Sequence, residues 1–164
     1  MNYATVQDMV DRYGEAELVQ LTDPDLVAVV EPKAVRALDD AQAFADGFVG
    51  RIYRLPLAGC AKPAPVPGQP GAVQMVPPPQ LTRIVCDVAR YYLYHQLAPE
   101  HEVYLRYKAA ERELQAIGDG KAVLSCPWGG SPGLQLAGDA PGDAEVYSHF
   151  SPRQVTDDSL RGFA

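Results

Sequence analysis

Apolar positions recur at helical spacing in five stretches of this chain and lose all period in two others. Thr5 followed by Asp8 predicts an N-cap with an acidic third position; Val6, Met9 and Val10 then share a face, and Gly14 ends the helix at Tyr13. Residues 15–20 predict a second short helix that buries Leu18 and Leu21. Thr22-Asp23-Pro24-Asp25 reads as a turn, because proline presets its backbone angle and the aspartates cap nearby amides. A third helix opens at Pro32, tolerated in a first turn, and runs to about Tyr53. It points Val35, Leu38, Ala41, Ala45, Phe48, Val49 and Ile52 inward and Asp39, Asp40 and Asp46 outward, until Leu55-Pro56-Leu57 breaks it. Residues 80–97 carry apolar side chains around more than half of a helix, which makes this the expected central one. Residues 99–118 are the clearest amphipathic segment: Val103, Tyr107, Ala110, Leu114 and Ile117 recur at steps of four, three, four and three, and Gly118 and Gly120 supply the stop.

The two aperiodic stretches are residues 58–79 and 125–164. The first holds seven of the chain's 15 prolines, and the second is rich in Gly, Pro and Asp but spaces Trp128, Tyr147, Phe150 and Phe163 along its length. Loops this long are uncommon inside a compact domain and point to a functional segment or to disorder. Short runs at 121–124, 134–136 and 145–147 suit strand addition to another element but make no sheet alone. The expected fold is all-α: a small bundle of four to five helices, with a Pro-rich inserted loop at 58–79 and an extended C-terminal arm. Residues 1–124 form the body and 125–164 the arm, which takes its shape from neighbouring subunits.

Charge narrows the partners. A formal charge of −7 disfavours holding nucleic acid by neutralising phosphates, and no Lys/Arg run suits an anionic membrane. No apolar run approaches the ~20 residues of a membrane span. Residues 1–14 are amphipathic and charged, unlike an apolar leader, and Cys60, Cys86 and Cys126 are an odd count at wide gaps. The expectation is a reduced, intracellular, soluble protein whose partners are proteins.

No catalytic or cofactor constellation emerges. Cys86 lies on an apolar helix face and reads as a small buried hydrophobe. Cys60 and Cys126 have no close Cys or His partner of the kind a zinc site requires, and His95 and His101 lack the one-turn spacing of a helical metal pair. The glycines at 129–130 and 138–142 precede Pro and Asp, where a phosphate loop precedes a helix. Asp39-Asp40 and Asp157-Asp158 read as solvated faces or caps. No enzyme activity, metal or cofactor is expected. Arg83, Asp87 and Arg90 fall on one side of the central helix, where Asp87 can pair with either arginine, as a surface pair or as a helix–helix or subunit contact. Tyr91, Tyr92 and Tyr94 add an aromatic cluster of a type enriched at interfaces.

Four segments, in order, resemble a tailed-phage family known from Mu-like phages and prophages, the head–tail joining (adaptor or connector) proteins. They are Tyr3-Ala4-Thr5-Val6-Gln7-Asp8 with Asp11-Arg12-Tyr13-Gly14 and Glu17-Leu18-Val19-Gln20-Leu21-Thr22-Asp23; Ala37-Leu38-Asp39-Asp40-Ala41 through Asp46-Gly47-Phe48, with Arg51-Ile52-Tyr53-Arg54-Leu55-Pro56-Leu57 as its exit; Leu81-Thr82-Arg83-Ile84-Val85-Cys86-Asp87-Val88-Ala89-Arg90-Tyr91 with Arg106-Tyr107-Lys108; and Asp158-Ser159-Leu160-Arg161-Gly162-Phe163. The loop at 58–79 is longer and richer in proline than the family's usual link, and 125–157 matches poorly. The resemblance implies a helical adaptor without catalytic residues, made in the host cytoplasm and located in the virion neck. It implies a homo-oligomeric ring, commonly a dodecamer, that docks on the portal protein and contacts the next joining, stopper or tail protein. Genomic DNA would pass through without specific binding.

On this reading the subunit interface uses Arg83, Asp87, Arg90 and Tyr91 of the central helix and Trp128, Tyr147, Phe150 and Phe163 of the arm. The alternative is a small helical regulatory or protein-binding module acting as monomer or dimer, for which sizing beside the portal would show no ring.

Overall fold

A computed structural model of the chain describes residues 1–63, 73–94 and 97–136. These form five helices, α1 (Val6–Tyr13), α2 (Glu15–Thr22), α3 (Glu31–Val49), α4 (Pro79–Leu93) and α5 (Glu102–Gly118), and two short strands, β1 (Cys60–Lys62) and β2 (Gln74–Val76). The fold is mostly α, as its periodicity predicts.

Local chemistry sets each boundary. Thr5 caps α1 in a full capping box with Asp8. Gly14, at φ 86°, closes α1 and opens α2 in a conformation that suits glycine. Pro32 sits in the first turn of α3, and Pro79 begins α4 directly after Pro78, so the end of the proline run is itself a helix start. Gly120, at φ 71° just past α5, lets Lys121 and Ala122 donate back to the carbonyl of Ala116.

Helix α4 packs against both α3 and α5, and α1 and α2 lie across α3. The buried stripe of α3 is Ala34, Ala37, Leu38, Ala41, Ala45 and Val49; its alanines let the α4 backbone approach closely, and Leu81, Ile84, Val85, Val88 and Ala89 answer from α4. Val103, Ala110, Leu114 and Ile117 of α5 are buried as expected. Val35 is not: it is 44% exposed, and the smaller Ala34 and Ala37 take the inward positions. Three helices are also shorter than their apolar patterns. After Val49 the chain continues in turns, with Arg51 N–H donating to Phe48 O and Ile52 N–H to Val49 O. Tyr94 leaves α4 in an extended conformation, and His101 caps α5 by accepting from Val103 N–H on Nδ1.

Both aperiodic stretches contribute to the body, which for the start of the arm is contrary to expectation. Strands β1 and β2 pair antiparallel, Cys60 with Val76 and Lys62 with Gln74, so the ends of the Pro-rich loop form a hairpin. Residues 125–136 return to the same chain as a strap. Gly59 N–H donates to Pro132 O, Arg54 N–H to Leu134 O and Leu136 N–H to Ile52 O, and Gln135 bridges to Tyr53. A disulfide joins Cys60 to Cys126 across 66 residues, which corrects the reading of these two cysteines as unpaired thiols. Nothing in their local sequence marks the pair, because the strap's backbone bonds bring them together. Tyr53, fully buried, accepts from Leu124 N–H at 2.8 Å and anchors the chain just before the strap. The arm that begins at residue 125 in the sequence reading is therefore body as far as Leu136; its remainder, with Tyr147, Phe150 and Phe163, lies outside the described residues.

Candidate interaction surfaces

The polar residues of α4 lie in a seam between helices. Asp87 is 5% exposed. One carboxylate oxygen accepts from Tyr13 O–H at 2.9 Å, and the guanidiniums of Arg83 and Arg106 stand 3.6 Å and 4.0 Å away. Burial, followed by the Asp87 charge and the hydrogen bond to it, raises the Tyr13 phenol well above its ordinary range, so it remains a donor. Arg83 also meets Glu113 of α5 at 2.5 Å.

Arg90 pairs with Glu17 of α2, not with Asp87. Its Nε and one terminal nitrogen contact the two carboxylate oxygens at 2.7 Å and 2.9 Å, its guanidinium covers the Tyr13 ring, and Tyr94 O–H donates to the same glutamate. Such bidentate pairs fix geometry as well as charge. Tyr91 stacks on Tyr107 with ring centroids 4.1 Å apart, and Tyr92 and Tyr104 lie beside the stack. Of the expected interface residues, then, Arg83, Asp87, Arg90 and Tyr91 tie α4 to α1, α2 and α5 within one chain; Arg83 and Tyr91 keep partly exposed edges.

Cys86 is a buried free thiol, pushed up to about 12 chiefly by burial, and is inert at neutral pH. Among the described residues no group of three or more His, Cys, Asp or Glu side chains is placed to hold a metal ion. No described helix is long and apolar enough to cross a membrane.

Two surfaces remain open. A groove of about 330 Å³ lies between the start of α1, the hairpin and the start of α4. Tyr3, Ala4, Val76, Pro77, Pro79 and Trp128 form its apolar wall, with Arg12 and Lys62 at its edge. Trp128, one of the residues singled out in the sequence, is 42% exposed here, and the Cys60–Cys126 disulfide lies two residues from both Lys62 and Trp128.

The second surface is the loop after α2. Asp23 accepts from the backbone N–H groups of Asp25, Val27 and Ala28, and these bonds hold its carboxyl below the usual range. Thr22 accepts from Val30 N–H, and Lys33 donates to Leu21 O at 2.7 Å, so the far end of the loop is fixed too. The loop presents Leu26 and Val27 at 62% and 80% exposure, with Leu26 at φ 56°. A branched residue in that region is strained and persists only where its surroundings impose it. The turn itself is legible in Thr22-Asp23-Pro24-Asp25, whereas the outward direction of Leu26 and Val27 is not, since apolar residues are expected to turn inward.

The family model described as "Bacteriophage Mu, Gp36" matches residues 3–132. That span covers every described helix and strand together with the start of the strap. The chain belongs to this Mu family. It is also similar to a protein named "Gene product J" of Escherichia phage Mu, 34% identical over 123 residues that cover 74% of each chain. Within the family match lie the α1 capping box, the α4 seam, the groove and the Asp23 loop.

Proposed function

We propose that this Mu-family protein is a structural component of the phage particle, a head–tail adaptor that assembles as a ring on the portal and joins it to the next neck or tail component. Its work is assembly, not catalysis. The observation that carries the reading is a self-sufficient body that nevertheless leaves large apolar side chains in water. Among the described residues no buried side-chain polar atom lacks a partner, yet Leu26, Val27, Leu105, Leu134 and Trp128 are exposed. Scattered single residues need no explanation, but an apolar pair presented on a pinned loop, together with a separate apolar groove, suits protein contact. The head–tail resemblance of residues 3–23, 37–57 and 81–91 supplies the role, and membership of the Mu family supplies its setting.

The net charge of −7 fits a ring around a DNA path, since like charge discourages the passing genome from adhering. On this reading the exposed edges of Arg83 and Tyr91, together with Trp128 and the distal aromatics Tyr147, Phe150 and Phe163, serve subunit and portal contacts. The test is sedimentation of the purified chain with the portal of its own phage. A stable complex carrying many copies of the chain per portal supports the proposal, and independent sedimentation of the two at micromolar concentrations overturns it.

A further inference from the structure

We infer that the Asp23 loop of one copy docks, through Leu26 and Val27, into the groove between α1, the hairpin and α4 of a second copy. This inference rests on the ring reading for its setting, but its argument comes from the two surfaces. The loop is pre-formed: Asp23 holds three of its amides, Thr22 a fourth, and Leu26 and Val27, which edge a shallow depression with Ala16 and Val19 of α2, stay largely exposed. A segment fixed before binding loses little conformational entropy when it docks. The groove is a concave apolar surface with an aromatic wall at Trp128 and a volume suited to a few side chains.

Charge selects a second copy as the occupant. Glu15 and Asp25 flank the loop and form no ion pair among the described residues. Arg12 and Lys62 edge the groove, equally without an ion pair among those residues. The groove's own carboxylate, Asp8, is engaged by the N–H and hydroxyl of Thr5 at 2.8 Å and 2.7 Å. In a chain with 21 acidic and 14 basic residues, copies repel one another over most of their surface, and a cationic groove facing an anionic loop is the exception that orients them. Because loop and groove are different patches, the contact is heterologous and repeats from copy to copy, as a ring requires.

The test is thiol cross-linking of two full-length variants mixed at high concentration, with a short bis-maleimide that leaves the disulfide and buried Cys86 untouched. One carries Val27→Cys on the loop and the other Asn2→Cys at the groove. The inference predicts a 27–2 heterodimer several-fold above the yield of a Val27→Cys and Ala109→Cys control pair. Lys62→Glu in the groove partner lowers that yield, and Asp25→Lys in the loop partner restores it. A 27–2 yield equal to the control, or charge reversals without effect, overturns the inference. Portal binding of the unmodified chain is read separately, so the adaptor proposal can stand if the loop contact fails, and the reverse.

Discussion

Tyr53 shows how one side chain fixes a chain crossing. Its hydroxyl accepts from Leu124 N–H in a fully buried setting, where water cannot replace it. Tyr53→Phe leaves that amide without a partner and is expected to lower stability by about 1–3 kcal/mol in urea unfolding, with helix content unchanged. Stability equal to wild type would show that the bond carries no weight. Asp23 makes a different prediction, because it is partly exposed and acts on a loop. Its folded-state pKa lies below the ordinary 3.8, so its hold on the loop is complete above that value and is lost only as pH falls through the lower folded value. In an NMR titration its carboxyl should have a midpoint below 3.8, and the amides of Val27 and Ala28 should shift with it. A midpoint at or above 3.8 would contradict the three-amide geometry.

At the scale of elements, sequence and structure agree where a single local rule decides the outcome. The Thr5/Asp8 box, the opening of α3 at Pro32 and the stripe of α5 follow from spacing alone. They depart where a choice depends on a distant partner. Val35 and Ala34 are equally acceptable on a helical wheel, and only the close approach of α4 favours the alanine. Arg90 can reach Asp87 along its own helix, but Glu17 on α2 offers both oxygens. The hairpin and the strap depend on residues tens of positions apart, so the proline and glycine content of 58–79 and 125–136 conceals their pairing. Cys60 and Cys126 are the sharpest instance. Closing 66 residues by a disulfide restricts the unfolded chain by about 4 kcal/mol on the chain-entropy account. Reduction, or Cys60→Ser, is therefore expected to lower unfolding stability by up to that amount and to loosen Trp128 and Lys62 at the groove. An unfolding midpoint indifferent to reductant would remove the disulfide from the account.

For the whole molecule, the strap that follows Leu124 belongs with the helical body. A chain ending after Leu136 keeps every described contact and is expected to remain folded. One ending after Leu124 loses the disulfide and the strap bonds and is expected to be markedly less stable. If the distal segment with Tyr147, Phe150 and Phe163 serves partners, the chain ending after Leu136 remains folded but fails to join particles. Normal incorporation would relieve those aromatics of that role. The candidate surfaces are only partly legible in the sequence: Trp128 stands out as an aromatic in a Gly/Pro-rich stretch, but the groove around it needs three separate elements to exist.

The proposed place at the head–tail junction is open to electron microscopy of lysates from phage lacking this protein. DNA-filled heads and complete tails should then lie apart, with joined particles restored when the protein is supplied. Normally joined, infectious particles in its absence would contradict it.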